Sequence, residues 1–592
     1  MQPDPFGNKS PRAPIPAPHS WTPGSDAETT DGAPKSNPVS IIPPWRRELL
    51  ALTLAFSALF GFVLGSRPLA NPDEGRYAEI PREMIASGDW ITPHLNAIPY
   101  FEKPPLVYWL GGLAQKFFGE SEWSVRLVPA VFALAGVLLT YAATRRLFGR
   151  GAGLGAAIVL GTSILYFALA RLLILDMAVS VLMAATLFCF ILGVREPAGA
   201  RRRWFFYGLY ASAALATLTK GLMGFLVTGA VMFLWLLIFN QWKRLRPLYL
   251  PSGLALFLAI AAPWHVLVAL RNPDWVQAYL VREHWQRFTV DLGRQQPWWF
   301  FVPIVAVGFF PWTGFLWSAW REALRGGWSR RRENADAWFF ATWAAFMFLF
   351  YSKSQSKLIP YILPVLPPLA VVTGLWLAQR WARREAPRVH AGVAGFSLGC
   401  MILAGALVVA VAQPGLIKDA AQAEALRPFG WSMSAVLLTG AVGVGLLGRR
   451  DVRVGLAVMA TTMAVFYSLL SVAATDIQRP GTRELALVAK ARIQPEDRVY
   501  HYWGFFHDFV YYSGRTVGLV DYTDELGAQF LPPAERAARF ITTAELRRQW
   551  AEPRRVWLVV RKRDAATLSG DAAFRHHMIA ENRAHCLLSN QP

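Results

Sequence analysis

Long apolar runs, each of a length to cross a bilayer, recur through most of this chain and leave little choice of architecture. They fall at roughly 48–66, 124–147, 152–171, 176–194, 204–219, 221–239, 248–269, 298–320, 337–352, 359–378, 391–412, 431–448 and 453–473. In hydrocarbon every backbone N–H and C=O must find its partner within the segment, so a run of about 20 apolar residues reads as a helix. The map therefore predicts a polytopic membrane helix bundle of about 13 helices, with 204–219 and 337–352 short for a full crossing. Of the 592 residues, 54% are hydrophobic and 17% charged, with 25 Trp and 38 Phe. That is too little polar surface for a soluble protein of this length.

The formal net charge is +21. A basic balance this strong raises nucleic acid as a partner. Here the cations gather in short loops between spans, which points to topology and anionic lipid headgroups instead. Counted alternately, one set of loops carries Arg145, Arg146 and Arg150; Arg195 and Arg201 to Arg203; Lys243, Arg244 and Arg246. The same set continues with Arg321, Arg325 and Arg330 to Arg332; Arg380, Arg383, Arg384 and Arg388; Arg449, Arg450 and Arg453. The positive-inside rule puts these loops and the N-terminus in the cytoplasm and the C-terminus outside. Trp298, Trp299 and Trp312 suit interfacial anchoring.

Residues 1–43 are rich in Pro, Ser, Gly, Asp and Thr, without an apolar period, and read as a disordered cytoplasmic tail. The first apolar run starts near Leu49, after Arg46 and Arg47, which does not fit a signal peptide. Residues 44–475 form the membrane domain, with 67–123 as its first outer loop. From 476 to 592 charged residues become common, and 498–503, 517–520 and 556–560 read as strands with a helix from Glu535 to Trp550 between two of them. That predicts a small α/β domain on the outer side. Three cysteines, Cys189, Cys400 and Cys586, offer no disulfide framework or metal spacing.

Charged side chains cluster at the outer ends of spans. The first loop holds Asp73-Glu74-Gly75-Arg76-Tyr77-Ala78-Glu79-Ile80-Pro81-Arg82-Glu83-Met84, then Gly88 to Pro93, then Pro99-Tyr100-Phe101-Glu102-Lys103-Pro104-Pro105. Arg171, Asp176, Lys220, Arg282 to His284, Arg287, Lys353 and Lys357 fall on the same side. Ionisable groups at a membrane edge are expensive, so the default reading is a functional pocket, one that suits an amphiphile with an apolar tail and a phosphate head.

These first-loop motifs closely resemble those of the lipid A aminoarabinose transferase family, type C membrane glycosyltransferases with protein O-mannosyltransferases as distant relatives. Weaker echoes occur at Arg171 to Met177, Glu283 to Phe288 and Lys357 to Pro364, and none is clear beyond 476. The resemblance implies inverting sugar transfer from a polyprenyl (undecaprenyl) phosphate carrier, outside the bacterial inner membrane, to lipid A or another envelope acceptor. It makes Asp73 the key carboxylate. It places Arg76, Tyr77, Tyr100, Lys103, Asp176, Lys220, Lys357 and Tyr361 around the donor's phosphate and sugar. It also brings Glu102 and His284 to the carrier phosphate, compatible with a divalent metal, and implies no organic cofactor. The family's Lys-Leu-Pro-x-Tyr reads Lys357-Leu358-Ile359-Pro360-Tyr361 here, the proline displaced by one.

Reaction chemistry sets the roles. A hydroxyl acceptor needs a carboxylate to take its proton, for which Asp73 is the candidate. A phosphate acceptor needs no base, and Asp73 then orients a substrate or stabilises charge at the anomeric carbon. Cations such as Arg76, Lys103 and Lys220 stabilise the departing lipid phosphate. Plainer readings stand beside these. Asp73 pairs with Arg76 one turn on, Asp176 caps a helix, Glu102 and Lys103 form a surface pair, His284 is structural, and Lys220 snorkels. His501 and His507, set among aromatics, read as packing residues. Transfer of a hexose to protein or glycan, or a lipid-linked sugar flippase, are the rival functions.

Overall fold

The computed structural model describes residues 43–592 apart from 287–295, 333, 384–389, 414, 418, 449–450, 524–525 and 571–573. Apart from Pro43, the expected tail lies outside the described residues. Seven described helices are long and apolar enough to cross a membrane, and nine do so if each of two sharply bent pairs counts as one span. Pro44–Gly61, Ala200–Lys220, Met223–Phe239 and Ala335–Lys353 take the remaining four apolar runs, so every run read from the sequence is helical.

The two bends meet inside the bundle. Arg150–Gly161 and Ile164–Ala170 turn by 66°, and Phe301–Gly308 and Thr313–Ala323 by 104°. A break frees backbone groups that hydrocarbon cannot satisfy, so they must be bonded by neighbours. Ile164 N donates to the Phe310 carbonyl at 3.0 Å. The Trp312 indole donates to the Thr162 hydroxyl at 2.9 Å, and the Tyr467 hydroxyl to the Thr162 carbonyl at 2.7 Å.

Ion pairs and hydrogen bonds join the helix ends and loops. Arg145 and Arg150 share Glu48, Arg146 pairs with Glu196, and Arg195 and Arg244 with Asp336. Arg271 at a helix end reaches Asp89 of the first loop, and Gln478 after the final span accepts from Arg67.

The first loop is itself folded. It consists of the Asp73–Ser87 helix, a small hairpin of β1 (His94–Leu95) and β2 (Ile98–Pro99), and the Leu106–Phe118 helix. Asp73 and Glu74 occupy the first turn of their helix, where the dipole favours carboxylates, and left-handed Gly88 ends it.

The C-terminal region carries six strands: β3 (Arg498–Tyr502), β4 (Gly518–Val520), β5 (Phe540–Ile541), β6 (Val556–Arg561), β7 (His577–Glu581) and β8 (His585–Ser589). They form one sheet in the order β5-β4-β3-β6-β8-β7, with β5, β4, β3 and β6 parallel and β6, β8 and β7 antiparallel. The single helix expected from Glu535 to Trp550 is instead Pro533–Arg539, strand β5 and Thr543–Trp550. The apolar pair Phe540–Ile541 docks on Leu519 and Val520 of β4, and Thr542 caps the next helix through Glu545 N. Edge pairing there outweighs helix propensity.

Candidate active site at the first loop

Glu74 anchors the loop to the membrane helices. Both its oxygens accept from Arg126 at 2.9 Å, and Arg67 reaches it at 2.6 and 2.8 Å. Backbone N–H groups of Ala70 and Leu173 donate as well. Arg126 is wholly buried and spends its other donors on the carbonyls of Leu64, Arg67 and Pro68. Burial alone would raise the Glu74 carboxyl, but the two guanidinium groups outweigh it and pull it down to about 2. Burial and the Arg126 charge together outweigh Glu74 at Arg67, which sits below its ordinary value. With two guanidinium groups within 2.9 Å of one carboxylate, the geometry is that of an ionised cluster.

One residue earlier, the Asp73 side chain is 54% exposed and 3.7 Å from the Arg76 guanidinium. Arg76 is buried. Burial opposes its charge, yet Tyr100, Tyr77, Glu102 and Asp73 around it more than offset that and raise its pKa. Arg76 also lies over the Tyr77 ring, which stacks on Tyr108. Burial, then neighbouring charge, holds the Tyr77, Tyr100 and Tyr108 phenols up, so they are neutral donors. The buried Tyr100 and Tyr108 hydroxyls have no hydrogen-bond partner among the described residues. An unsatisfied buried hydroxyl costs about 1–3 kcal/mol, which a ligand oxygen would offset. Glu102 is 3.8 Å from Lys103, whose ammonium also donates to the Glu102 carbonyl at 3.0 Å. A small cavity beside them, about 10 Å³, is walled by Tyr100, Phe101, Glu102, Arg282 and Phe530.

A second cluster comes from the bundle. The Lys220 ammonium donates to Asp176 at 2.5 Å and sits 4.4 Å above the Tyr361 ring, beside Tyr351. Asp176 makes no side-chain cap on its own helix, which removes the capping alternative. Tyr77 feels the charge of Asp73, Glu102 and Asp176 alike, and so bridges the two clusters. Lys357 goes elsewhere, donating to the Gln296 carbonyl at 2.8 Å.

The metal expectation finds no support. The side chain of His284 lies outside the described residues. Among the described residues no three His, Cys, Asp or Glu side chains converge. Glu102 faces Lys103, with Arg76 close by, and such a cationic surround disfavours a metal ion. The described residues do not fit a metal.

Sequence reasoning missed the partner that seats the loop. Asp508 of the C-terminal domain is wholly buried and accepts from Thr482 N at 2.6 Å, from the Thr482 hydroxyl at 2.7 Å and from the Asn71 amide. Asp508 N in turn donates to Asn71 at 3.0 Å. Asn96 exchanges two hydrogen bonds with the Val517 backbone, at 2.9 and 2.8 Å. His507 lies beside Arg76, and burial first, then that charge, keeps its ring neutral. His501 packs on Phe505, Phe506 and Phe509 as expected. An Asn-Pro step before the first-loop helix was the one available signal for Asn71, and it reads equally as a turn.

Comparison with known proteins agrees with this picture. Residues 102–266 match the family described as dolichyl-phosphate-mannose-protein mannosyltransferase. An undecaprenyl phosphate-alpha-4-amino-4-deoxy-L-arabinose arabinosyl transferase of Pectobacterium carotovorum is 35% identical over 333 residues, 55% of this chain and 58% of that protein. Its counterpart in Aeromonas salmonicida is 32% identical over 367 residues, 61% of this chain and 66% of that protein. The alignments thus span between a half and two thirds of those relatives' length. The crystal structure of ArnT from Cupriavidus metallidurans bound to undecaprenyl phosphate superposes with a TM-score of 0.82 at 29% identity, covering 92% of this chain and 98% of that one. Its apo form gives 0.81. A multi-pass bundle, a folded first loop and an α/β domain seated on it, taken with these likenesses, make the chain similar in fold and sequence to ArnT-like glycosyltransferases.

Proposed function

We propose that this protein transfers a sugar, with inversion, from undecaprenyl phosphate to lipid A or another envelope acceptor on the outer face of the bacterial inner membrane. The sugar is 4-amino-4-deoxy-L-arabinose, the one named for the relatives. The observation that carries this is one cluster around Arg76: an accessible Asp73, Glu102 with Lys103 beside it, and two buried phenols, Tyr100 and Tyr108, whose hydroxyls have no partner among the described residues. Basic loops on the opposite face support an N-terminus in the cytoplasm and a C-terminus in the periplasm.

The acceptor oxygen attacks the anomeric carbon as the bond to the carrier phosphate breaks, and the electron pair leaves on the phosphate oxygen. Arg76, Lys103 and the two phenols stabilise that growing charge. Lys220, held by Asp176, presents a third cation behind Tyr77. A lipid A phosphate arrives deprotonated, so Asp73 then orients it or the sugar. A hydroxyl acceptor hands its proton to Asp73. The family match over 102–266 supports a second reading, transfer of a hexose to protein.

Two measurements test this. Mass spectrometry of lipid A and other envelope glycolipids, with and without the protein, is expected to show an added aminopentose on lipid A. An unchanged lipid A together with a lost protein glycan would favour the second reading. Purified protein in detergent with labelled undecaprenyl-phosphate sugar should yield product without any vesicle. Movement across vesicles without chemistry would reveal a flippase.

A further inference from the structure

The other face of the bundle holds a cavity that glycosyl transfer does not use. It lies among the helices Arg150–Gly161, Leu366–Arg383 and Val452–Ile477, with the buried Trp312 in its wall, and measures about 490 Å³. Its sides are Leu154, Ile158, Val159, Leu377 and Leu456, nearly all hydrocarbon. Its volume falls in the range of about 300–1,000 Å³ usual for sites that take a discrete ligand. It is remote from Asp73. Arg150 follows the far end of the Glu122–Phe148 helix, and that helix's near end, at Glu122, contacts Arg483 and Tyr512 of the C-terminal domain. At about 1.5 Å per residue, its 27 residues span the bilayer.

Three features at the lining favour an anion. Arg145 and Arg150 share the single carboxylate of Glu48, leaving excess positive charge. Arg453 lies 5.1 Å over the exposed Trp381 ring, and no carboxylate pairs with its guanidinium among the described residues. Asp451 nearby spends its carboxylate on the Arg453 backbone N–H at 2.8 Å. The Arg150–Gly161 helix starts here without a side-chain cap, so its first N–H groups point out with the positive end of the dipole.

An apolar chamber rimmed by two arginines, an uncapped helix start and an interfacial tryptophan is complementary to one class of molecule. We propose that this cavity binds an anionic glycerophospholipid, its phosphate between Arg150 and Arg453 and an acyl chain along Leu154, Ile158 and Leu456. The leaflet is the cytoplasmic one under the proposed topology. The binding itself does not depend on the sugar or the acceptor. Basic pockets between spans on this side of a membrane recognise such headgroups.

The test uses delipidated full-length protein in neutral detergent, titrated with phosphatidylglycerol or with phosphatidylcholine of the same acyl chains and followed by native mass spectrometry. Phosphatidylglycerol should stay bound and phosphatidylcholine should not. Arg453→Gln should weaken phosphatidylglycerol roughly fivefold, one cation's share near a membrane surface. Ala457→Trp, placed in the exposed lining, should abolish binding. Arg453 makes no ion pair among the described residues, so its variant should melt with the parent. Equal binding of both lipids, phosphatidylglycerol binding unchanged in both variants, or displacement by undecaprenyl phosphate would overturn the proposal.

Discussion

Two adjacent carboxylates, Asp73 and Glu74, differ in side-chain exposure from 54% to 2%. The helix leaves one exposed beside Arg76 and turns the other into Arg67 and Arg126, so their substitutions should separate cleanly. Asp73→Asn should keep the fold. With a hydroxyl acceptor it should lower turnover by about 10²–10⁴, the contribution of a positioned general base. With a phosphate acceptor the loss should be smaller. Turnover measured with both acceptors at equal melting temperature checks this, and equal loss with both would remove the base role. Glu74→Gln leaves buried guanidinium groups uncompensated and should cost about 3–5 kcal/mol of stability, read by thermal unfolding. Its carboxyl sits at about 2 in the folded protein against an ordinary 4.5. The carboxylate's stabilisation is therefore complete above about pH 4.5 and lost as pH falls through about 2. Melting curves across that window should converge for parent and variant at the acid end. The sequence marked both residues as charges at a costly boundary. It did not distinguish them, because exposure depends on Arg126, more than fifty residues away.

At the scale of elements, the contact that matters joins the Asp73–Ser87 and His507–Ser513 helices. A Cβ on Gly75 would lie 2.6 Å from Asp508 N and 2.9 Å from the His507 carbonyl carbon, both fixed backbone. Gly75 is thus small so that the C-terminal domain can seat. Gly75→Ala should push the two helices apart. The expected result is faster protease cleavage after residue 478 and a lower melting temperature, while Gly88→Ala should leave that cleavage rate unchanged. The helices of the membrane domain were readable as apolar runs, since in hydrocarbon a run of that length has no other structure. Strand β5 was not. Two residues carry no period, and their strand character comes from β4 alongside. The bends at Thr162 and Phe309 were hidden for a similar reason. Each is made tolerable by hydrogen bonds from the other, and no local motif reports that.

For the whole molecule, the proposed orientation rests on the basic loops, which the structure ties together through Glu48, Glu196 and Asp336. Replacing the three native cysteines and adding one probe gives a direct check of orientation. Glu535→Cys, on the C-terminal domain, should react with a membrane-impermeant thiol reagent in intact cells whose outer membrane has been opened. Arg201→Cys should react only after the inner membrane is breached. The reverse pattern would invert the topology. The C-terminal domain also walls the small cavity beside Glu102 through Phe530, which meets Phe101 edge-on at 4.9 Å. Its docking therefore shapes the pocket that the first loop starts.

The amino-acid order alone determined the helical bundle, and it supplied the charge pattern on which the proposed sidedness and the proposed first-loop site rest. Those follow from hydrophobicity and charge, which act locally on each segment. Only the folded molecule decided that Glu74 is a clamp and Asp73 is accessible, that Asp176 holds Lys220 rather than capping a helix, and that Asn71, Asn96 and Asp508 lock two distant regions together. Those properties arise from pairs far apart along the chain, and a side chain's burial and partners are set by what the remaining chain brings against it.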